Sequence, residues 1–310
     1  MSTPSATGFR AGWTALPARV RADLEAFLGS PVVAAVNQDG GFSPGLAARV
    51  RCADGRRAFV KAVGRDLNPD TPDLHRAEAR VAADLPLTAP VPRFRHFYDD
   101  GDWVALVFDE VDGRMPALPW SSADLHRVLD ALGELARSLT PCPLDDVPAA
   151  TEKLHADMLG YRRLLDRTPD DLDPWELRHL PALAELAESA LSILDGDTLV
   201  HLDVRADNVL LTDDRVMFVD WPWATRGAAW IDTAVLGVNA AVHGHDPDVL
   251  LADNPLLERV DPTPLLAGLA GTWAEASRRP AQPGMPTIRA FQRAHGAAAL
   301  GWVRRRTGWT

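Results

Sequence analysis

The first half of the chain alternates between helical and strand patterns of apolar residues. Apolar positions at three- and four-residue steps predict a helix over 17–28. The pattern then changes to the two-residue alternation of strands at 31–37 and 46–52, with a glycine-containing loop at 38–45 between them. An Asp-Gly turn follows, and it predicts that the chain returns as a strand at 57–63. These elements indicate an antiparallel sheet that begins near the N-terminus.

Further along the chain, strands give way to helices. A helix is expected at 72–85, followed by strands near 92–98 and 103–110. After residue 121 helical spacing dominates, and only a short hairpin at 208–219 interrupts it. The expected helices cover 122–139, 151–167, 174–195, 229–242, 263–277 and 286–306.

This order of elements predicts an α+β protein with two lobes. A length of 310 residues fits about two domains. We expect a smaller β-rich lobe at 1–110 and a larger, mainly helical lobe at 111–310.

Composition excludes several classes of protein. A hydrophobic content of 46% and a charged content of 24% are typical of a folded chain rather than a disordered one. The net charge of −11 argues against nucleic acid or an anionic membrane as a partner. No apolar run reaches the roughly 18 residues of a membrane span, and the N-terminus lacks the pattern of a signal peptide. The two cysteines have no metal-binding or disulfide spacing. We therefore expect a cytoplasmic protein, and the sequence leaves its oligomeric state open.

The 208–219 hairpin carries the most informative polar residues. If Leu211 pairs with Val216, then Asn208 and Asp220 emerge at the same open end of the hairpin, and Asp203 lies on the loop that leads into it. Two carboxylates and an amide oxygen form an oxygen-only site that suits Mg²⁺ carrying phosphates. The remaining carboxylate is then free to take a proton from an attacking hydroxyl. The alternative is a loop whose Asp and Asn side chains bond only to local backbone.

Lys61 is one of only two lysines among 32 basic residues. It shares the face of its predicted strand with apolar side chains, where an unpaired ammonium is costly. Glu78 lies on the inward stripe of the following helix. The pair predicts a buried ion pair that aims the lysine at a ligand. The alternative is an exposed ammonium with a glutamate at the rim.

The 38–45 loop is a weaker signal. Its glycines, including Gly41, allow backbone N–H groups to approach a phosphate, and Ser43 adds a hydroxyl. The loop is not a P-loop, because it lacks the terminal Gly-Lys-Ser/Thr. An ordinary hairpin turn is the alternative.

Together, the glycine loop, the strand lysine, the helix glutamate, His201-x-Asp203-x₄-Asn208 and Asp220-Trp221 resemble one known family. The arrangement is similar to the aminoglycoside phosphotransferase and choline kinase group of the protein-kinase-like superfamily. The resemblance covers nearly the whole chain, and 199–232 is its specific part.

This resemblance implies an ATP-dependent kinase that phosphorylates a hydroxyl of a small molecule. It implies that Asp203 is the catalytic base, that Asn208 and Asp220 hold Mg²⁺, and that Lys61, oriented by Glu78, meets the α/β-phosphates of ATP. The N-terminal lobe would bind the nucleotide, and the C-terminal lobe would carry catalysis and the acceptor. His201 would brace the catalytic loop, and Asp232 would support it.

The chain departs from the family pattern at Leu202 and Arg205. Arg205 stands where protein kinases carry a catalytic-loop lysine, so one interpretation is contact with the γ-phosphate. The other is an exposed arginine paired with Asp207 or Asp213. Leu202 places the best-known antibiotic-modifying subgroup in doubt.

The sequence leaves open both the identity of the phosphate acceptor and two other hypotheses for the function. Aminoglycosides, other antibiotics, amino alcohols and sugars all remain candidate acceptors, so whether the acceptor is cationic stays open. A cluster of Trp221, Trp223 and Trp230 would suit a cation, but it equally suits core packing. A catalytically degenerate nucleotide-binding or interaction module is the second hypothesis. A two-histidine, one-carboxylate iron site is the third, and the helical C-terminal half argues against it.

Overall fold

A five-stranded antiparallel sheet forms the N-terminal part of the protein, of which a computed structural model describes residues 6–310. The strands lie in the order β1-β2-β3-β5-β4, and each is within two or three residues of its predicted position. They are β1 (Val32–Asn37), β2 (Leu46–Cys52), β3 (Arg57–Gly64), β4 (Phe94–Asp99) and β5 (Trp103–Phe108).

One helix packs on each face of this sheet. Helix α1 (Ala18–Leu28) buries Val20, Leu24 and Leu28 against one face. Helix α2 (Thr71–Asp84) lies on the other. Because side chains alternate along β3, Ala58, Val60 and Ala62 pack in the cluster that contains α1, whereas Phe59 lies with α2. Lys61 therefore projects from the α2 face, as the alternation predicts.

Helices and two short two-stranded antiparallel sheets form the rest of the chain. Strand β6 (Thr198–Val200) pairs with β9 (Thr225–Gly227), and β7 (Val209–Leu211) pairs with β8 (Val216–Phe218). The helices are α3 (Ser122–Ser138), α4 (Ala150–Lys153), α5 (His155–Met158), α6 (Gly160–Asp166), α7 (Pro174–Ser189), α8 (Ile231–Val242), α9 (Pro247–Leu250), α10 (Thr263–Ala276) and α11 (Ile288–Thr307).

The expectation of one helix over 151–167 was wrong. The segment forms three short helices, and the breaks fall at Leu154 and Leu159, where ψ is close to zero. Gly160 lies so close to α10 that an added Cβ would be 2.3 Å from the backbone nitrogen of Thr272. Tight packing on α10 takes precedence here over the continuity of a regular helix.

A membrane span is absent from the described part of the chain. None of the helices within residues 6–310 combines the length and the apolar character needed to cross a bilayer.

Candidate active site

The β7–β8 hairpin has the register that its sequence predicts. Leu211 is paired with Val216, and the backbone N–H of Val219 donates to the carbonyl of Asn208 over 3.0 Å. Asn208 and Asp220 therefore lie at the same end of the hairpin. Asp220 has a φ of 70°, which is unfavourable for a residue with a side chain. Backbone strain of this kind is typical of functional sites.

Asn208 holds the loop that carries Asp203. Its Nδ2 donates to the backbone carbonyl of Asp203 over 2.8 Å and to Oδ2 of the same residue over 2.9 Å. Asn208 is buried, and the side chain of Asp203 keeps 28% of its surface exposed. One amide thus fixes both the backbone and the carboxylate of the predicted base.

His201 connects this loop to the hairpin. Its Nε2–H donates to the carbonyl of Val219 over 2.9 Å, and its Nδ1 accepts from the backbone N–H of Asp203 over 3.2 Å. The tautomer follows from these partners, since a carbonyl can only accept. Burial lowers the pKa of His201, which keeps the ring neutral. This geometry is that of the structural brace implied by the family resemblance.

Asp232 binds the backbone of the loop that carries Asp203. The side chain is buried, and its two oxygens accept the backbone N–H groups of His201 and Leu202, each over 2.8 Å. Leu202 has a φ of 64°, so the carboxylate holds a strained backbone next to Asp203. Burial raises the pKa of Asp232.

Replacing Asp232 with alanine is expected to lower the free energy of unfolding by about 2–4 kcal/mol, because two buried N–H groups lose their acceptor. Urea denaturation followed by circular dichroism would measure the change. Asp253 is exposed, and Asp253→Ala is the matched control, with an expected change within about 0.5 kcal/mol. Equal stabilities for the two variants would contradict the supporting role of Asp232.

Lys61 forms the ion pair predicted from its strand position, and it has a second partner. Its Nζ lies 2.7 and 2.8 Å from the two carboxylate oxygens of Glu78 and 2.6 Å from Oδ1 of Asp220. The side chain of Lys61 is only 13% exposed, so the ammonium is largely removed from water. The lysine therefore joins the sheet, α2 and the end of the hairpin in one charged cluster.

The charges of this cluster depend on one another. Burial disfavours the ammonium, but Asp220 and Glu78 outweigh it and raise the pKa of Lys61. Burial also favours protonated Asp220, yet the neighbouring ammonium lowers the pKa of that carboxyl. Burial raises the pKa of Glu78. Lys61 and Asp220 are thus the pair whose charged forms the site favours most clearly.

Asp203 has a different environment. Burial raises its pKa to about 7, and the nearby guanidinium of Arg205 only partly opposes this. A carboxyl with a pKa near neutrality is well suited to accept a proton from a hydroxyl and release it again.

The 38–45 loop lies over this cluster, and Gly41 and Ser43 line the same cavity as Lys61 and Asp220. Gly45 has a φ of 113°, and a Cβ there would lie 2.3 Å from the carbonyl oxygen of Ala62. Only glycine fits so close to β3. The backbone of the loop can therefore approach a ligand in this cavity.

Arg205 is buried, which contradicts the exposed position in one of its two interpretations, but the pairing with Asp207 that this interpretation named is present. Its Nε lies 3.2 Å from Oδ1 of Asp203, and its Nη2 lies 3.3 Å from Oδ2 of Asp207. The guanidinium also lies 5.2 Å from the ring centre of Phe42 and 5.3 Å from that of Phe291. Aromatic side chains from both parts of the protein thus remove it from solvent.

Two cavity-lining residues have no counterpart in the sequence predictions. His75 lies on α2, three residues before Glu78, is 4% exposed and lines the cavity beside Lys61. Its spacing from Glu78 is a signal that helical periodicity provides. Arg10 lines the cavity as well, and nothing in the sequence around it indicates this position.

The three tryptophans do not form a single binding surface. Trp221 and Trp230 are buried, and the indole N–H of Trp221 donates to the carbonyl of Phe218 over 3.2 Å. Trp223 is 40% exposed, and the ammonium of Lys153 lies 4.8 Å from its ring centre. A cation of the protein itself therefore already covers the exposed tryptophan.

The donors at the hairpin end fit a magnesium ion. Asn208 uses its amide nitrogen for Asp203, and Asp220 uses Oδ1 for Lys61. Oδ1 of Asn208 and Oδ2 of Asp220 accept no hydrogen bond from residues 6–310. Within the same range no group of three or more His, Cys, Asp or Glu side chains is arranged for a metal ion. Two oxygen donors suit Mg²⁺ that takes its other ligands from phosphates and water.

Comparison with known families gives one match. The family model APH, described as a phosphotransferase enzyme family, matches residues 42–254. This range contains every predicted site residue except Gly41. No curated protein sequence matches the chain significantly.

Three solved structures with the same fold are two aminoglycoside phosphotransferases and a choline kinase. One is a thermostable mutant of aminoglycoside phosphotransferase APH(4)-Ia in complex with ADP and hygromycin B, with a TM-score of 0.60, 13% identity and coverage of 92% of this chain and 98% of that one. Another is choline kinase LicA from Streptococcus pneumoniae, with a TM-score of 0.61, 13% identity and coverage of 91% and 98%. A third is an aminoglycoside phosphotransferase from Alicyclobacillus acidocaldarius, with a TM-score of 0.55, 15% identity and coverage of 92% and 95%. The predicted α+β, protein-kinase-like fold is thereby confirmed.

Proposed function

The chain belongs to the phosphotransferase enzyme family, and from this premise we propose that it transfers the γ-phosphate of ATP to a hydroxyl group of a small molecule. Membership of the family and phosphotransferase activity agree with the sequence predictions. The observation that supports γ-phosphate transfer from ATP is that the ammonium of Lys61 bonds to both Glu78 and Asp220. A buried lysine held by two carboxylates is suited to binding phosphates beside a metal ion.

Asp203 is proposed as the general base. It accepts the proton of the acceptor hydroxyl while the hydroxyl oxygen bonds to the γ-phosphorus. The bond from that phosphorus to the bridging oxygen breaks, and ADP leaves with the electron pair. Asn208 orients the carboxylate through Oδ2, and Oδ1, which adjoins Arg205, has a second lone pair that can accept from the hydroxyl.

Lys61 and the glycine loop are proposed to bind the phosphates of ATP. Lys61 meets the α/β-phosphates and Glu78 orients it, while the backbone of Gly41 and the hydroxyl of Ser43 line the same cavity. Asn208 and Asp220 would hold Mg²⁺ through their remaining oxygens. When bound, the ion would neutralise charge on the phosphates.

Arg205 is proposed to stabilise the charge on the transferring phosphoryl group. Its guanidinium forms ion pairs with Asp203 and Asp207, and the contact of its Nε with Oδ1 of Asp203 at 3.2 Å lacks the alignment of a full hydrogen bond. A phosphoryl oxygen next to Asp203 would give this buried donor a well-aligned, charge-assisted partner.

The acceptor is proposed to bind between the glycine loop and the helical part of the chain. The boundary between the two lobes is proposed to lie near residue 110. A second cavity of about 440 Å³ adjoins the first, and Asp207 and Gly40 line it together with Asn239 of α8 and His243, which follows α8. The cavity is large enough for a small molecule, and Ala206, three residues after Asp203, forms part of its wall.

The segment 246–261 contains five acidic residues, which would suit a polycationic acceptor, but their contacts offer little support for one. Arg306 bonds to Asp248 over 2.8 Å and to Asp261 over 3.0 Å. These carboxylates thus already have a cation as their partner. Amino alcohols, sugars and other hydroxyl compounds should therefore be tested beside aminoglycosides.

The wild-type protein is expected to release ADP from Mg·ATP when a suitable acceptor is present. A coupled ADP-release assay over aminoglycosides, other antibiotics, amino alcohols and sugars would detect it, and mass spectrometry would show one added phosphoryl group on the acceptor. Chelation of Mg²⁺ is expected to abolish the signal. ATP binding without ADP release across this panel would favour the non-catalytic nucleotide-binding module instead.

A further inference from the structure

Arg10 makes an unusual set of contacts beneath the glycine loop. Its guanidinium donates to four backbone carbonyl oxygens of this loop. Nε lies 3.2 Å from the oxygen of Gln38, Nη1 lies 2.5 Å from that of Ser43, and Nη2 lies 3.1 Å from that of Gly41. Nη2 also donates to the carbonyl of Gly40. One side chain thus binds the carbonyls of four of the eight residues of the loop.

The backbone on both sides of Arg10 is attached to the same loop. The N–H of Ala11 donates to the carbonyl of Gly45, and the N–H of Gly45 donates to the carbonyl of Phe9, each over 3.0 Å. The N–H of Phe9 donates to the carbonyl of Gly284, which lies between α10 and α11. The segment 8–11 therefore joins the glycine loop to the helical part of the protein.

Gly8 shows how closely this segment follows the loop. A Cβ at this position would lie 2.3 Å from the carbonyl oxygen of Phe42, so a larger residue would displace one backbone or the other. The segment lies outside the part of the chain that the family model matches, residues 42–254.

Carbonyl oxygens repel phosphates, so a loop that binds phosphate must turn its carbonyls away and its N–H groups inward. Four carbonyls of this loop point instead to one guanidinium, which also lines the candidate nucleotide cavity. Charge-assisted hydrogen bonds of this kind are among the strongest in proteins.

We propose that Arg10 is a positioning residue for nucleotide binding, which holds the carbonyl oxygens of the 38–45 loop away from the phosphates of ATP and adds a positive charge to that end of the cavity. This inference rests on the proposed function, since it requires a nucleotide in the cavity. It predicts that Arg10 contributes to the affinity for the phosphates of ATP and not to the affinity for its nucleoside.

Isothermal titration calorimetry with ATP and with adenosine would test the proposal on the full-length protein. Arg10→Ala is expected to weaken ATP binding at least about tenfold, the equivalent of one charge-assisted hydrogen bond. Adenosine affinity is expected to stay within about twofold, because the nucleoside carries no phosphate charge for the loop carbonyls to repel. Arg10→Lys keeps the charge but has a single donor group, and it should recover part of the ATP affinity.

The control is Arg51→Ala, since Arg51 is an exposed arginine of the same sheet, and this variant should bind ATP as the wild type does.

Hydrogen exchange without nucleotide provides a second measurement, and amides of 38–45 should exchange faster in Arg10→Ala. Unchanged ATP affinity in Arg10→Ala, or equal losses for ATP and adenosine, would overturn the inference and leave the proposed function intact. A wild-type protein that binds no ATP would overturn the proposed function and this inference with it.

Discussion

Asp203→Asn is expected to lower kcat for phosphate transfer by about 10³-fold, because an amide cannot take the proton of the acceptor hydroxyl. Asparagine has nearly the same shape, and its oxygen can still accept the hydrogen bond that Asn208 donates to Oδ2. The backbone carbonyl of residue 203 also keeps its bond from Asn208. The loop should therefore retain its structure, so the change isolates proton transfer. Single-turnover measurements with the acceptor found in the ADP-release screen would give the rate.

The control for Asp203→Asn is nucleotide affinity in the same variant. Asp203 is not among the residues that line the nucleotide cavity, so the Kd for ATP is expected to remain within about threefold of the wild-type value. A variant with weak ATP binding would show that the loop had moved. A transfer rate close to that of the wild type would exclude Asp203 as the base.

Lys61→Arg is expected to lower kcat/KM for ATP by about 10²-fold or more, because small displacements of groups that bind the reacting phosphates have effects of this size. The ammonium of Lys61 fits within 2.6–2.8 Å of three carboxylate oxygens in a space that is almost closed to solvent. A planar guanidinium is wider and cannot place its charge at the same point. Glu78 and Asp220 would have to move apart, and Asp220 is also a proposed ligand of Mg²⁺.

Lys153 provides the matched control for this substitution. It is the other lysine of the chain, its ammonium lies over Trp223, and it lines neither of the two cavities. Lys153→Arg should keep that contact, since guanidinium groups also bind aromatic rings, and it should leave kcat/KM within about twofold. If both arginine variants showed full activity, the phosphate-binding role of Lys61 would be refuted.

The sequence predicted those parts of the site that depend on one or two adjacent elements. The register of the hairpin follows from a four-residue turn between two apolar runs, and it places Asn208 and Asp220 together. The pair of Lys61 and Glu78 follows from strand alternation and helical periodicity in consecutive elements. Such patterns are local, so they can be read without the rest of the molecule.

Contacts between distant segments were missed. The bond between Lys61 and Asp220 joins positions 159 residues apart, and the burial of Arg205 depends on aromatic residues from the glycine loop and from α11. Likewise, the break of the expected helix over 151–167 depends on α10, more than a hundred residues later. No periodicity within a segment reports which distant surface will cover it.

Lys61, one of only two lysines, illustrates both what the sequence determines and what the tertiary structure decides. Sequence alone determined the antiparallel sheet, the helical C-terminal part, the family resemblance and the ion pair of Lys61, because apolar periodicity and motif spacing are properties of contiguous residues. Tertiary structure alone decided that Lys61 also binds Asp220, that Arg205 is enclosed and that Arg10 lies under the glycine loop. The physical reason is that the cost of burying a charge depends on which groups surround it, and the fold brings those groups from segments far apart in the chain.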